Sequence, residues 1–548
     1  MIYKRFILST ILLTTINLFG QTSNLVKCDS ITYSVHKENI GKIAFMGKTI
    51  PIEDFKQSDF LKIIELKENA DLNIRVFLGN SLTNYLHLLS PQVSADELTK
   101  NGNYQFTFYV DNKKVYVENL NVGAGSADNK NGRTIFRVPF ISSTNEDSWG
   151  RFLWNRFYGN GGQDALTNGE HLLKIEIRPY LKLNEVLIGN VIAEGELKVI
   201  VPELKINKQD IKVQHIKPLK GIQISTGKID TARIEELNRK IITQNFKEIT
   251  SIIVLKEGNL LLEEYFNGAN RKTLHDTRSV GKSFASTLLG IAIKDNYIKN
   301  EERTLNEFYE LSTFQNYSTA KDSITLKDLL TMSSILEGSD MDSESPGNEE
   351  NMYPTKNWVD FTLNLPVDTS KEAGRQWDYF TAGVVVLGDL LHKSVPGSLK
   401  KYSEEKLFKP LGITKYKWQF TPQNVVNTAG SVQLRSLDYA KYGQLYKNQG
   451  VWKGQQILTK EWVEKSLSHQ QEVSENEYYG YLFWNKTYHV NGVDYEVYYS
   501  SGNGGNRIFI FKDFPFVVVI TSTAYNTSYG HKQVDKIMQD YLIETIAK

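Results

Sequence analysis

The sequence predicts an α+β protein in which an all-β, sandwich-like domain precedes a domain whose antiparallel sheet is flanked by helices. Two observations predict this fold class. Apolar and polar residues alternate through much of residues 30–205, whereas helical periodicity and buried strand runs dominate from about residue 229. The chain has 548 residues, several times the length of an average domain, which also favours at least two domains.

The strands of the first domain are predicted from short stretches with a period of two. Four such stretches are residues 104–110, 115–117, 173–177 and 197–201. Turn residues separate them, for example Asp111 and Asn112, and this arrangement is typical of a β-sandwich. We therefore predict a sandwich-like accessory domain over residues 22–205. The chain then becomes lysine-rich and irregular, and we predict a linker over residues 206–228.

The second domain, residues 229–548, combines helices with strands at both of its ends. Helices are predicted over residues 234–242, 284–293 and 534–546, and strands over residues 252–255, 260–265, 508–511 and 516–520. Because the strands lie at the two ends of the domain and the helices between them, the sheet must combine strands that are far apart in the chain.

Composition excludes several classes of function. The chain has 64 Lys and Arg residues against 63 Asp and Glu residues, so its charge gives no reason to expect a nucleic-acid partner. Cys28 is the only cysteine, which excludes an intramolecular disulfide and a cysteine-rich metal site. The histidines form no HExxH motif. We predict neither a metal nor a cofactor.

The first 20 residues have the features of a signal peptide. Lys4 and Arg5 precede a mostly apolar stretch, residues 6–19, and Gly20 is a small residue where cleavage is expected. A buried N-terminal helix is the alternative. No segment is long and apolar enough to cross a bilayer, so we predict an exported protein, periplasmic or secreted, without a transmembrane span.

Ser279 and Lys282 form a Ser-x-x-Lys motif at the predicted start of a helix. Positions i and i+3 share one helix face, so the lysine can reach the serine hydroxyl, and a neutral amine there could accept its proton. Alone, the motif favours a different interpretation, in which Ser279 caps the helix and Lys282 is a solvated first-turn charge. A phosphate-binding loop is excluded, because Asp276 stands where that loop needs its first glycine.

Further landmarks follow this motif in a fixed order. They are residues 324–334, the set Gly374, Trp377 and Tyr379, the turn Pro410-Leu411-Gly412, residues 435–443 and the stretch Ser501-Gly502-Asn503-Gly504-Gly505-Asn506. Together with the Ser-x-x-Lys motif they resemble the serine β-lactamase and penicillin-binding-protein-like family. The resemblance is to its branch of class C β-lactamases, D-Ala-D-Ala carboxypeptidases, esterases and 6-aminohexanoate-dimer hydrolases, and it covers residues 229–545.

This resemblance implies a β-lactamase/transpeptidase-like catalytic domain and a role for each matching residue. Ser279 would form an acyl-enzyme, and Lys282 and Tyr379 would share the transfer of its proton; the sequence does not assign the base to either one. The resemblance also implies substrate and oxyanion contacts from Asn503, Gly504, Gly505, Thr381 and Trp377.

Two departures from the family pattern bear on the substrate. Thr381 stands where the second motif usually has asparagine, and Ser501 stands where the third motif usually has lysine or histidine. The cation that would receive a penicillin carboxylate is therefore missing from the motif. We predict an exported serine hydrolase for a small-molecule or peptide-like ester or amide. The alternative is a non-catalytic, or slowly turning over, penicillin-binding-like sensor.

Three other features allow more than one interpretation. The acidic residues Asp340, Asp342, Glu344, Glu349 and Glu350 indicate a solvated loop, or a flap over the active site. The aromatic residues of the stretch 149–158 indicate packing, or a platform for cell-wall or polysaccharide contact. His275 lies four residues before Ser279 and is the less favoured candidate for its base.

Overall fold

The structure is a computed structural model that describes residues 26–67, 70–142, 148–203, 208–218, 221–430 and 432–546. The predicted signal peptide, residues 1–20, lies outside these ranges. Within them, no helix combines the length and the apolar character that crossing a bilayer requires.

The strands described in the first part of the chain form one sheet. They are β1 (Lys42–Met46), β2 (Ile63–Glu65), β3 (Leu72–Phe77), β4 (Gly102–Val110), β5 (Lys113–Asn119), β6 (Ile135–Ile141), β7 (Gly169–Lys182), β8 (Val186–Ile188) and β9 (Ala193–Val201). Their order is β5-β4-β7-β9-β1-β3-β6, with β2 beside β9 and β8 beside β7. Phe106 lies opposite Ile177, and Phe108 opposite Ile175, so the predicted alternation does place one apolar face in the core.

The first part contains more helices than the sequence pattern indicated. They are α1 (Ser34–Lys37), α2 (Leu82–Leu89), α3 (Ala95–Asn101), α4 (Ala127–Gly132), α5 (Trp149–Phe157) and α6 (Gln163–Ala165). Leu82 and Leu86 of α2 pack with Leu98 and Leu181. The β-rich character is confirmed, but these short helices were not predicted, because two helical turns give too few apolar repeats to stand out.

The strands described in the second part begin at residue 249. They are β10 (Ile249–Lys256), β11 (Asn259–Tyr265), β12 (His275–Asp276), β13 (Tyr416–Trp418), β14 (Val432–Leu434), β15 (Val451–Trp452), β16 (Gln455–Gln456), β17 (Gln471–Ser474), β18 (Glu477–Tyr479), β19 (Trp484–Val490), β20 (Val493–Gly502), β21 (Asn506–Phe511) and β22 (Phe516–Ser522). The main antiparallel sheet has the order β11-β10-β22-β21-β20-β19-β18-β17. Ile253 pairs with Val519, which confirms a sheet of chain-distant strands.

Helices lie on both faces of this sheet, as predicted. They are α7 (Thr231–Ile242), α8 (Val280–Lys294), α9 (Leu326–Leu330), α10 (Glu349–Met352), α11 (Trp358–Leu363), α12 (Thr381–Ser394), α13 (Leu399–Ser403), α14 (Ser436–Lys447), α15 (Lys460–Ser466), α16 (Gly530–Ile537) and α17 (Ile543–Ile546). Helices α7, α16 and α17 share a core with one face. Helices α8, α12 and α14 belong to the core on the other face.

Helix α8 is buried along most of its length. The ring of Phe284 stacks on Tyr442 with centroids 3.9 Å apart, and Thr287 hydrogen bonds with the Tyr442 hydroxyl at 2.8 Å. Helix α14 can approach the sheet closely because residue 443 is glycine. A Cβ on Gly443 would lie only 2.7 Å from a methyl carbon of Val517. This packing holds the first turn of α8 in a rigid frame.

The predicted linker lies along the edge strand β11. Gln214 exchanges two hydrogen bonds with the backbone of Tyr265, at 2.8 and 3.2 Å. Further along, the Leu260 amide donates to Gln223 O at 2.8 Å, and the Ser225 amide donates to Leu260 O at 2.9 Å. The segment therefore covers a sheet edge that would otherwise present unpaired backbone groups. The boundaries of the two domains stay predictions.

The aromatic stretch 149–158 packs inside the molecule. The rings of Phe157 and Phe108 stack with centroids 4.5 Å apart in the core of the first sheet. Phe152 stacks at 5.6 Å on Tyr353, which belongs to the second part of the chain. The packing interpretation is therefore confirmed. Contact with cell wall or polysaccharide through the first part stays a prediction.

Candidate active site

Ser279 lies at the junction between β12 and α8. The strand β12 pairs with β14, and the chain then turns through Arg278, whose φ of 54° is in the left-handed region. Ser279 immediately precedes the first residue of α8, so its side chain is placed at the N-terminal end of this buried helix. This is the position predicted from the Ser-x-x-Lys motif.

Lys282 is one turn further along α8 and reaches back to the serine. Its Nζ atom lies 2.8 Å from Ser279 Oγ and donates a second hydrogen bond, 2.6 Å long, to Ala429 O. The residue is only 1% exposed. The alternative of a solvated first-turn charge is therefore excluded by the position of the side chain.

Tyr379 precedes helix α12 and faces the same two residues. Its ring centroid lies 5.1 Å from Lys282 Nζ, and its hydroxyl hydrogen bonds with the Ser279 side chain. Burial raises the pKa of Tyr379, while the positive charge of Lys282 and the hydrogen bond with Ser279 lower it less strongly. Since the net pKa is above the ordinary value, the phenol keeps its proton at neutral pH and can donate it to an oxygen.

The end of strand β20 runs directly beside the serine backbone. A Cβ on Gly502 would lie 1.8 Å from Thr277 O and 3.1 Å from the Ser279 amide nitrogen, so only glycine fits there. Gly502 belongs to the stretch 502–505, which was expected to place a β-edge against the substrate, but it was not singled out among the candidate site residues. The close approach of two backbones is the feature that distinguishes it, and a single sequence contains no signal for that distance.

The residues that follow Gly502 contact the chain before helix α16. Asn503 Oδ1 accepts a 2.7 Å hydrogen bond from the Asn526 amide. Gly504 and Gly505 have φ values of 89° and 90°, and a Cβ on Gly505 would lie 2.3 Å from Gly530 O. These three predicted residues thus form the turn between β20 and β21, packed on the chain before α16. Their contacts with a substrate stay predictions.

Trp377 belongs to an aromatic wall around Tyr379. The centroid of Trp377 lies 6.2 Å from that of Tyr379, 5.8 Å from that of Tyr479 and 5.4 Å from that of Trp484. Trp484 also stacks on Tyr379, at 6.0 Å. Sequence reasoning missed Trp484, because β19 carries no motif and its place beside Tyr379 comes from the sheet order.

Thr381 is the first residue of helix α12 and is 2% exposed. Its amide donates a 2.7 Å hydrogen bond to Asp340 Oδ2. The observed hydrogen bond is therefore made by the backbone of Thr381. A contact between the Thr381 hydroxyl and a substrate stays a prediction.

Asp340 is a residue of the site that the sequence interpretation missed. Its amide donates to Tyr379 O at 2.8 Å, and its carboxylate accepts from the Thr381 amide. Burial raises the pKa of Asp340 to about 7, and the negative charge of Glu349 adds to the effect. The interpretation of the acidic stretch as a solvated loop is thus wrong for this residue, whereas Asp342 and Glu344 are exposed.

His275 is a buried structural residue. Its Nδ1 atom lies 3.3 Å from Thr250 Oγ1, and its carbonyl accepts a 3.2 Å hydrogen bond from the Tyr439 hydroxyl. Burial lowers the pKa of His275 to about 4. The residue is uncharged at neutral pH, and these two hydrogen bonds join it to the surrounding core and not to Ser279.

A cavity of about 460 Å³ adjoins the site. It is lined by Asp340 on the Tyr379 side and by Asn503 on the Gly502 side, and Phe152, Arg156 and Asn160 of the first part complete it. A larger cavity, about 870 Å³, is lined in part by residues 273–276. Neither lining includes Ser279, Lys282 or Tyr379.

The fold and the site define a class of protein. A serine hydroxyl at a helix start, a lysine nitrogen 2.8 Å away and a phenol in contact with the serine form a constellation suited to nucleophilic attack on a carbonyl. An antiparallel sheet with helices on both faces supports it. This is the arrangement of a serine hydrolase of the α+β type.

The sequence profile of the Beta-lactamase family matches residues 242–539, more than half of the chain. The protein therefore belongs to the β-lactamase family, a family of serine hydrolases that includes esterases and amidases. Among curated proteins, none matches the sequence.

The chain is also similar, at low sequence identity, to several solved structures. A protein from Bacillus anthracis, provisionally assigned as a 6-aminohexanoate-dimer hydrolase, is 19% identical, with a TM-score of 0.46 over 61% of this chain and 84% of that one. An octameric penicillin-binding protein homologue from Pyrococcus abyssi is 17% identical, with a TM-score of 0.45 over 57% and 78%. A penicillin-binding protein from Bacillus halodurans is 14% identical, with a TM-score of 0.43 over 54% and 97%.

Proposed function

We propose that the protein is an exported serine hydrolase that cleaves an ester or amide bond through an acyl-enzyme on Ser279. The observation that carries the proposal is the 2.8 Å contact between Lys282 Nζ and Ser279 Oγ, made where the lysine is 1% exposed. The pairing of this buried amine with a serine hydroxyl meets the amine's need for an acceptor, which a backbone carbonyl would meet as well. The pairing is also an arrangement that activates a nucleophile.

The proposed reaction has two steps. In the first, Ser279 Oγ attacks the substrate carbonyl while its proton passes to Lys282 in its uncharged form. The leaving alcohol or amine takes a proton from the Tyr379 phenol as its bond to the carbonyl carbon breaks, and Lys282 returns a proton to the phenolate. In the second, water attacks the acyl-serine, loses a proton to the same pair, and releases the acid as the proton returns to Ser279. The Ser279 amide and the end of β20 are the candidate donors to the oxyanion.

The proposed substrate is a small or linear, peptide-like ester or amide. Ser501, which pairs with Arg507 across β20 and β21, occupies the position where related motifs carry a cation. Without that cation a β-lactam carboxylate loses its usual partner. We expect slow hydrolysis of nitrocefin and penicillins beside faster hydrolysis of simple esters; rates typical of an efficient β-lactamase would contradict this preference.

Export is proposed from residues 1–20 alone. Fractionation of cells that express the full chain, followed by mass spectrometry of its N-terminus, tests this part. A protein that keeps residues 1–20 and stays in the cytoplasm would contradict it.

Labelling with a fluorophosphonate probe tests the nucleophile directly. We expect stoichiometric labelling that maps to Ser279 and disappears in Ser279→Ala. Ser283→Ala is the matched control, because Ser283 lies on the same helix but hydrogen bonds to Leu482 O at 2.7 Å. Labelling at another serine, or none in the folded wild-type protein, would contradict the proposal.

A sensor that acylates without turnover is the second candidate, favoured by the altered motif positions Thr381 and Ser501. Turnover separates the two functions. Labelled Ser279 with steady hydrolysis of any ester or amide in a broad panel supports the hydrolase. Labelled Ser279 with a single burst and no further product supports the sensor.

A further inference from the structure

Asp340 joins the two sides of the short segment that carries Tyr379. Its backbone amide donates to Tyr379 O at 2.8 Å, and its Oδ2 atom accepts from the Thr381 amide at 2.7 Å. One residue thus holds the backbone immediately before and after Phe380. Because the Tyr379 side chain projects from this segment, Asp340 constrains where the phenol lies relative to Ser279.

The other carboxylate oxygen of Asp340 reaches helix α10. Its Oδ1 atom accepts a 2.8 Å hydrogen bond from the amide of Glu349, the first residue of that helix. The position of Asp340 therefore depends on the position of α10. Tyr353, just after this helix, donates a 2.6 Å hydrogen bond to Glu349 Oε2, which ties the end of the helix to its start.

Helix α10 is in turn held by helix α5 from the first part of the chain. Arg156 forms a two-pronged ion pair with Glu350, whose second hydrogen bond is 3.1 Å long. The same guanidinium binds Glu118 of β5 through Nε at 2.9 Å and Nη2 at 2.5 Å. Burial lowers the pKa of Arg156, but the two carboxylates more than offset this, so the pKa is raised.

Aromatic stacking reinforces the same contact. The rings of Phe152 and Tyr353 are 5.6 Å apart and nearly parallel, with an angle of 19° between them. Phe152 and Arg156 are four residues apart on α5, so both project from one face of that helix onto α10. The β-rich part is therefore attached to the element that supports Asp340, and not only to a remote surface.

We propose that Asp340 is a positioning residue for Tyr379, and that the first part of the chain holds Asp340 in place through Arg156 and Glu350. The inference rests on the proposed function for its effect on catalysis. It assigns the N-terminal part a structural role in the active site, through hydrogen bonds from Arg156 to Glu350, from the adjacent Glu349 amide to Asp340, and from Asp340 to the backbone of Tyr379.

The kinetic test compares Asp340→Asn, Arg156→Met and Glu350→Gln with the wild-type protein on an ester substrate. In Asp340→Asn, one carboxylate oxygen becomes an NH2 group that faces an N–H donor, so one of the two contacts is lost. We expect kcat to fall about 10- to 100-fold while KM changes less than about threefold. Asp342→Asn, in the same loop but exposed, should leave both parameters unchanged.

Two further comparisons separate positioning from a general loss of stability. Arg156→Lys keeps a positive charge that can bind Glu350, and it should recover part of the kcat that Arg156→Met loses. If Arg156 acts through Glu350, the double variant Arg156→Met/Glu350→Gln should lose no more than the worse single variant. Independent, multiplicative losses would overturn the link between the two residues.

Hydrogen exchange tests the inference without using activity. We expect faster amide exchange at residues 379–383 in Arg156→Met and in Asp340→Asn, and no change in Asp342→Asn. Unchanged exchange there, in folded Arg156→Met, would overturn the inference even if the wild-type protein is an active hydrolase. Conversely, absence of fluorophosphonate labelling would refute the proposed function, while accelerated exchange would still support the structural link.

Discussion

The side-chain nitrogen of Lys282 is almost completely removed from water, so it needs hydrogen-bond partners within the protein. Its two observed acceptors, Ser279 Oγ and Ala429 O, leave one face of the nitrogen toward the ring of Tyr379. Burying an amine is unfavourable unless it is hydrogen bonded, and these two contacts meet that need. The lysine is therefore held within hydrogen-bond distance of Ser279 Oγ, as the proposed proton transfer requires.

Replacing Lys282 with alanine should remove most of the activity. We expect kcat for ester hydrolysis to fall about 10²- to 10⁴-fold, the range for loss of a positioned proton-transfer group. Lys294→Ala is the matched control, because Lys294 is exposed at the other end of α8 and bonds to Gln456 O. A Lys282→Ala enzyme with near-normal kcat and a native circular dichroism spectrum would refute the mechanism.

Glu264 is a second buried titratable group, and it has no part in the proposed chemistry. It accepts hydrogen bonds from the Gln214 amide at 2.9 Å and from Asn238 Nδ2 at 3.0 Å, and it is fully buried. Burial raises the pKa of Glu264 from 4.5 to about 7. The folded protein thus binds more protons than the unfolded chain between these two values, and stability from this group is lost as pH rises through 7.

Glu264→Gln removes this titration. At pH 5 the variant should be less stable than the wild-type protein, because its NH2 group meets an N–H donor. The difference in free energy of unfolding should shrink toward pH 8, where the wild-type carboxyl has become charged. Urea unfolding at pH 5 and pH 8 measures this difference in free energy of unfolding. Glu257→Gln, at an exposed position, is the control. A difference that grows with pH would contradict the assignment.

Among single residues, the sequence identified those whose role follows from a motif and missed those whose role follows from backbone contacts. Ser279, Lys282 and Tyr379 were predicted and do meet. Asp340 was not, because its partners are two amides and a carbonyl that any residue type would supply. The neighbouring residues in the sequence indicate only an acidic, turn-rich stretch.

At the scale of elements, the end of strand β20 lies against the turn that carries Ser279. The strand pairs with β21 up to the pair Gly502 and Asn506, so its last residue is still in regular β structure. The contact with Thr277 O is between two backbones, and neither can move aside without disturbing a sheet or the start of α8.

Gly502→Ala should therefore damage the site and the packing together. We expect kcat to fall at least about 100-fold, as when an oxyanion donor is displaced, and stability to fall by about 1–3 kcal/mol from overpacking. Gly47→Ala is the control, because an added Cβ there would lie 3.7 Å from its nearest atom, an ordinary contact. Wild-type kcat and melting temperature in Gly502→Ala would contradict the geometry.

Long periodic elements were the most predictable ones. Residues 234–242 and 284–293 were predicted as helices and lie within α7 and α8, and the run 516–520 lies within β22. The two-residue strand β12 and the four-residue helix α10 were not predicted. Such short elements have too few residues for a period, and their conformation is imposed by the partners β14 and α5.

On the scale of the whole molecule, the first part touches both sides of the proposed cleft. Arg156 and Phe152 hold the Tyr379 side through α10. On the Gly502 side, Gln163 accepts a 3.0 Å hydrogen bond from the Tyr529 hydroxyl, next to the chain that binds Asn503. Because the first part contacts the second on both sides of the cleft, we expect the stability of each part to depend on the other.

We accordingly expect the full-length protein to unfold in one cooperative transition. Differential scanning calorimetry should give a calorimetric enthalpy equal to the van't Hoff enthalpy. The double variant Phe152→Ala/Tyr529→Phe removes one contact on each side and should broaden or split the transition, whereas Phe60→Ala, within the first part only, should shift a single transition. Two separate transitions in the wild-type protein would contradict this coupling.

The sequence by itself predicted the family, the set of Ser279, Lys282 and Tyr379, and the α+β character of the chain. The proximity of Ser279 and Lys282 follows from local spacing, because a helix brings residues three positions apart onto one face, whereas Tyr379 was predicted from the family resemblance. The tertiary structure alone decided that Gly502 lies against Ser279, that Asp340 supports Tyr379 and that Arg156 reaches α10. Those contacts join residues up to 225 positions apart, as between Thr277 and Gly502, and their distances depend on how sheets and helices pack.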